Sequence, residues 1–532
     1  MSVVAQPKRV GLFFGAGAEV AYGLPTGGKF ALDIFRQKPG PAKEALKAII
    51  SAIPTNSAYA RTWFPDGFDG KSLYTFGKSD FTSLLESSLE QRREQIIKCF
   101  NEFDKTVGDV IKALSIDEAA LKDDFEKVVG KSLGDILYGG EVKLNDTLGA
   151  GSTFFDSKYL SAALHLHIED QECDILKQSL SSLIQLYVGA LGLNLTNRLN
   201  DELFTKFPTN AAVFSNISGI FKIEFKQAGL EAFDLVIEGK SLDYSKLGDC
   251  ASKFGYLMRC VIEHILTQNL DYQKLIDNHF RYLYNPRAEW AKFTKISAFL
   301  YTVRNYILEQ AKGVLASIPG ADGYYHDLKM LQSAGVKISA IGTTNYNSII
   351  QSVFGHTGMS ADVFHLNGSV TDFYDPYKNR VFTHDYAADK TFGGRFSVPF
   401  ILTQTGVKPL TSVSMSDRYV TMYKEFEKSD VVCVAGFGFN GDDGHINGIF
   451  RDLLERSQFA GKLVILHYER DPASAHANDI KDEYKQKLRL DKADKLYVIV
   501  VGGDRKTVAD VLWVEKLLQM VGLTLTPAGT TP

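Results

Sequence analysis

Four short stretches of the chain set glycines beside hydroxyl, carboxamide, imidazole or carboxyl side chains, each at the end of an apolar run. The earliest is Gly15-Ala16-Gly17-Ala18-Glu19, with Gly23-Leu24-Pro25 behind it. Glycines let a backbone approach a phosphate closely, and a helix starting after them offers amide hydrogens to an anion. The stretch is not the dehydrogenase fingerprint, since Val20 stands where that pattern needs its third glycine. A tight structural turn accounts for the same glycine pair. The second stretch is Gly342-Thr343-Thr344-Asn345-Tyr346-Asn347. Its hydroxyls and carboxamides, at the top of a strand, can hold ribose hydroxyls and a water without adding net charge. An Asx turn or a helix cap is the plainer reading.

The third stretch, Val363-Phe364-His365-Leu366-Asn367-Gly368-Ser369, reads as a strand running into a turn. Alternation along a strand puts His365 and Asn367 on one face, about 6.6 Å apart. An imidazole there suits proton transfer near neutral pH, although a lone strand histidine also serves as a satisfied core residue. The fourth is the apolar run Val431–Ala435 followed by Gly436-Phe437-Gly438-Phe439-Asn440-Gly441-Asp442-Asp443 and a helical segment. It has the shape of a second nucleotide-binding edge, with Asp442 or Asp443 as a helix N-cap in the plainer reading. Cys433 reads as a buried strand residue and His445 as a surface residue of the first helical turn.

The elements that must position these stretches are strands. Val10–Phe14, Lys337–Ile341, Asp362–Leu366, Val431–Ala435, Leu463–His467 and Leu496–Val501 are short β-rich runs separated by helical or loop segments. The pattern predicts an α/β fold: a doubly wound, parallel, Rossmann-like sheet of about six strands whose ligand crevice lies beyond the carboxyl ends. Between residues 61 and 325 the spacing turns helical. Leu176, Leu180, Leu183, Ile184 and Tyr187 share one helix face, and 254–266 and 293–308 read as further buried helices. The expected division is a first part of the nucleotide-binding domain over 1–60, a helical insertion over 61–325, the rest of the domain over 326–523, and a disordered tail over 524–532.

A chain of 532 residues with 45% hydrophobic and 23% charged side chains can build a large core, which excludes a disordered or fibrous chain. Lysine and arginine number 59 against 63 acidic residues, without a dense basic run, so nucleic acid is not the expected ligand. Cys99, Cys173, Cys250, Cys260 and Cys433 form no paired motif. A reduced, cytoplasmic chain without a structural zinc or other metal site fits that usage. No apolar stretch approaches the ~20 residues of a membrane-spanning helix.

Taken in order, the four stretches resemble the NAD-binding core of the sirtuin-like superfamily, and most closely the bacterial sirtuin-like proteins of anti-phage defence. These lack the zinc ribbon and hydrolyse NAD. The resemblance covers roughly 8–40 and 335–505. It implies that Gly15, Ala16, Gly17 and Ala18 wrap the NAD diphosphate and that Pro25 begins the segment covering the nicotinamide side. It further implies that Asn345 faces the nicotinamide ribose and positions the attacking water, with Thr343, Thr344 and Asn367 among the cofactor-binding residues. Gly436, Gly438, Asn440 and Asp443 would hold the adenosine half. The chain departs from the family pattern at Glu19, where a serine is usual, at Asn347, where an aspartate is common, and at Asn367, which takes the place of the family's histidine. Either His365 then works from one strand step back, or general-base help is absent.

The resemblance implies an NAD glycohydrolase with NAD as substrate, restrained by a trigger, a partner subunit or oligomer formation. Breaking the ribose–nicotinamide bond releases a neutral leaving group from a cation. Such a site therefore needs positioning and one oriented water more than a strong acid. The competing expectation is a non-catalytic subunit that binds NAD or ADP-ribose. Lysine deacylation is a third, which a bound zinc would favour.

Overall fold

The computed structural model describes residues 7–24, 27–135, 153–169, 172–191, 229–238, 242–402, 412–455 and 458–523. Pro25 and the tail 524–532 lie outside them. The chain divides into two compact units. One comprises Met1–Phe30, Gln37–Phe76 and Ile276–Pro532, and the other comprises Ala31–Arg36 and Gly77–Leu275.

The first unit is the expected α/β fold. Its strands are β1 (Arg9–Phe14), β2 (Lys337–Thr343), β3 (Val363–His365), β4 (Gly368–Asp375), β5 (Arg380–Thr383), β6 (Val398–Ile401), β7 (Val431–Ala435), β8 (Lys462–Tyr468) and β9 (Leu496–Val501). Six of them form one sheet in the order β3-β2-β1-β7-β8-β9, with every pairing parallel. Alternate residues feed opposite faces. Val10, Leu12 and Phe14 join Val431, Cys433 and Ala435 in one core layer, while Phe13, Val432 and Val434 join Met422, Phe426 and Phe450 in the other. The strand order reverses between β1 and β7, and the crevice at such a reversal is where open α/β sheets bind ligands. A second, antiparallel sheet, β5-β4-β6, was not anticipated from the sequence.

The second unit is helical throughout its described residues. Helix Asp174–Leu191 lies so close to helix Cys250–Asn269 that a Cβ at Gly255 would stand 2.7 Å from the Leu176 nitrogen. This unit is narrower than the 61–325 insertion expected from spacing. Helix Trp290–Ser317 belongs instead to the sheet unit, as do helices Ala58–Trp63 and Tyr324–Ser333, which straddle the expected boundaries. There Trp63 meets Phe293, the Tyr301 hydroxyl donates to the Ser397 carbonyl, and Tyr324 and Tyr325 enter the core beneath β1. An amphipathic helix has the same periodicity whether it covers a sheet or joins a bundle, which is why spacing did not separate them.

Candidate functional site

The carboxyl ends of four strands are level. Phe14 pairs with both Thr343 and Ala435, and Thr343 pairs with His365. The ladder continues one step further: Gly15 N donates to Ala435 O at 3.0 Å, Thr344 N to Phe14 O at 3.2 Å and Leu366 N to Thr343 O at 2.9 Å. All four stretches singled out from the sequence thereby emerge side by side at the strand reversal.

The two glycine turns are packed backbone on backbone. Gly436 has φ +68°, and a Cβ there would stand 2.0 Å from the Ala18 nitrogen. A Cβ on Gly15 would lie 2.5 Å from the Gly436 oxygen. Gly17 N donates to that same oxygen at 2.9 Å. These glycines are thus required by each other, and the amides of Gly15 and Gly17 are engaged inside the protein. Ala16, at the start of the short helix Ala16–Tyr22, is exposed. Beyond Gly436, Phe437 and Phe439 anchor the loop, their rings edge-on to Phe13 and Phe450 at 5.3 and 5.6 Å. Gly438 and Asn440 are exposed, and Asp443 closes the turn Gly441–Asp443 ahead of helix Gly444–Glu455.

Asn345 is built into the corner from several directions. Thr343 Oγ1 donates to Phe14 O at 2.9 Å and accepts from Asn345 N at 3.0 Å. The Asn345 amide donates from Nδ2 to Gly15 O and to the Tyr325 hydroxyl, both at 3.1 Å. Its Oδ1 is the atom left to accept from a ribose hydroxyl or a water. Tyr325 in turn donates to Glu19 Oε1 at 2.9 Å, and Asn347 Nδ2 donates to Glu19 Oε2 at 2.6 Å. Tyr22 stacks on Tyr325 at 5.2 Å. The Glu19 carboxyl thus turns inward and pairs with Asn347. Burial pushes the Glu19 carboxyl up to about 7, against the opposing effect of the hydrogen bonds from Asn347, Tyr325 and Asn345.

His365 is buried, and both ring nitrogens are engaged. Nδ1 faces the Asn345 carbonyl at 2.7 Å, which only accepts, so Nδ1 carries the hydrogen and Nε2 accepts from the Gln351 amide at 2.8 Å. Burial lowers its pKa and holds the ring neutral. The geometry makes His365 a clamp on the Asn345 backbone.

Asn367 does not share a strand face with His365 as alternation suggested. β3 ends at His365, the chain turns at Leu366 and Asn367, and Gly368 takes φ +84° close against the Phe400 backbone. Asn367 O accepts from Leu402 N at 2.9 Å, and its Oδ1 accepts from His445 Nε2 at 3.1 Å. His445 is therefore no surface residue: it is half-buried, beside the Tyr419 ring, whose hydroxyl donates to Leu366 O. Its place in the first turn after a strand-end glycine loop was the signal available in the sequence. Nearby, Arg418 closes on both oxygens of Asp372 at 2.7 Å.

Among the described residues there is no group of three or more His, Cys, Asp or Glu side chains that could hold a metal, and no helix is long and apolar enough to cross a membrane. In comparisons with known proteins, no family model and no curated protein matches the chain.

Proposed function

We propose that the chain hydrolyses NAD to nicotinamide and ADP-ribose at the strand reversal, as a regulated toxic effector of anti-phage defence. The observation that carries this reading is the 3.1 Å hydrogen bond from the Asn345 side chain to the Gly15 carbonyl. It joins the early glycine turn and the threonine–asparagine corner into one locus although they are far apart in sequence. In this reading Asn345 Oδ1 orients the water that attacks the ribose. His365 holds the Asn345 backbone, and His445, bonded to Asn367, supplies the imidazole that takes up the proton. Glu19, when ionised, places negative charge beneath the corner where positive charge develops on the ribose. The glycine turns supply a floor without side chains, and Gly438, Asn440 and Asp443 lie where the adenosine half would rest. Restraint by a partner or by oligomer formation, and a cytoplasmic site of action, belong to the same reading.

A second reading, a subunit that binds NAD or ADP-ribose without cleaving it, is favoured by the engagement of both His365 nitrogens and by Asn367 in place of the family's histidine. Nicotinamide release from NAD, followed for the full chain and for Asn345→Ala, separates the two. Release that falls about 100-fold or more in the variant supports hydrolysis. Calorimetric NAD binding with no release supports the second reading.

A further inference from the structure

Two arginines of the sheet unit are buried among the described residues, and they differ in their surroundings. Arg505, 7% exposed, lies between Asp327 and Asp322, each 2.7 Å away, and these carboxylates raise its pKa. Arg304, 8% exposed, has no carboxylate facing it among the described residues. The titratable groups around it are the hydroxyls of Tyr386 and Tyr301, and burial lowers its pKa. Its Nε donates to Val370 O at 2.7 Å, and its guanidinium lies 4.5 Å from the centre of the Tyr386 ring and 5.3 Å from that of Phe373. Its two Nη groups make no hydrogen bond among the described residues.

A buried cation without a counter-charge is costly, and the ring faces offset only part of that cost. What they leave is a planar fork of donors suited to a bidentate anion. The fork is close to the candidate site, because Val370 N donates to Tyr346 O at 2.8 Å, inside the threonine–asparagine stretch. Nearby cations do not compete for the role: Arg418 is closed on Asp372, and the amides of Gly15 and Gly17 are engaged with the β7 loop. We propose that Arg304, seated on Tyr386 and Phe373, is an anion subsite that takes a phosphate group. The phosphate comes either from the dinucleotide at Asn345 or from a second, effector nucleotide. The first source rests on the NAD reading; the subsite itself does not.

The test is calorimetric titration of the full chain and of Arg304→Gln and Arg304→Lys with ADP-ribose, inorganic pyrophosphate and adenosine, each variant first checked by thermal melting. Arg304→Gln is expected to weaken ADP-ribose and pyrophosphate about tenfold or more while leaving adenosine unchanged, with Arg304→Lys between. A raised KM for NAD at unchanged kcat assigns the phosphate to the substrate. An unchanged KM with pyrophosphate binding lost assigns it to an effector. Equal ADP-ribose and pyrophosphate affinities in wild type and Arg304→Gln overturn the proposal. If Arg304→Gln does not fold, Arg304→Lys decides in its place, and unchanged binding overturns it. Arg304-dependent pyrophosphate binding by a wild type that releases no nicotinamide leaves the subsite standing and sinks the NAD reading instead.

Discussion

At the Asn345 corner the polar side chains hold one another: the Asn345 amide, the Tyr325 hydroxyl, the Glu19 carboxyl and the Asn347 amide form one continuous chain of hydrogen bonds under the glycine turn. At the Asn367 turn a side-chain hydrogen bond brings in an imidazole from 78 residues further along the chain. The first region is over-determined and sets geometry. The second sets at the turn the group best suited to move a proton. The difference implies that damage to the glycine turn and the Glu19 network beneath Asn345 shows as lost stability, whereas damage at Asn345 itself or at His445 shows as lost chemistry in a folded protein.

The sharpest way to break this comparison is at the glycine contact. Gly436→Ala forces a Cβ against the Ala18 backbone at a positive φ, where neither side can yield, and is expected to cost more than about 4 kcal/mol, leaving little folded protein in a denaturation series. Next in size is the pH response of Glu19. Its carboxyl sits near 7 in the folded state against 4.5 in the unfolded chain, so the folded state binds the extra proton and stability falls as pH rises through that window, by on the order of 3 kcal/mol. Glu19→Gln removes that fall. The remaining contribution from His365, whose pKa is lowered, runs the other way, so the variant's urea midpoint is expected to rise from pH 5 to pH 7. A wild type and variant with parallel pH profiles would contradict the assignment.

His445→Ala should lower nicotinamide release about 100-fold in a protein that still folds. His365→Gln should instead destabilise the protein. If the two variants exchange these effects, the roles given to the two imidazoles are reversed. The smallest effect is expected at Gly438, where a Cβ meets only the Asn440 side chain, at 3.4 Å. Gly438→Ala should shift stability by under about 0.5 kcal/mol, in contrast to Gly436→Ala.

Strand-forming runs are local, so the parallel sheet could be read from residue order, and so could the convergence of the four stretches at its carboxyl edge. Three features depended on residues distant in sequence. The pairing of Glu19 with Asn347 turned two separate oddities into one buried contact. His445 gained its partner only because β3 stops at His365 and the chain turns there. The helix Trp290–Ser317 carries ordinary amphipathic spacing, and only packing showed that it belongs to the sheet unit. Strands β4 and β5 of the antiparallel sheet are broken by polar residues and lacked the continuous apolar character that made the parallel strands visible.

The central claim is that the Asn345 corner, joined to the Gly15 turn, orients water onto NAD. The most direct test follows nicotinamide release from NAD across a range of protein concentrations, for wild type and Asn345→Ala, with NAD binding measured alongside. The account predicts release by the wild type, and an Asn345→Ala protein that still binds NAD but releases nicotinamide about 100-fold more slowly or not at all. A wild type that neither binds nor cleaves NAD at any concentration, or an Asn345→Ala variant with undiminished turnover, would contradict it.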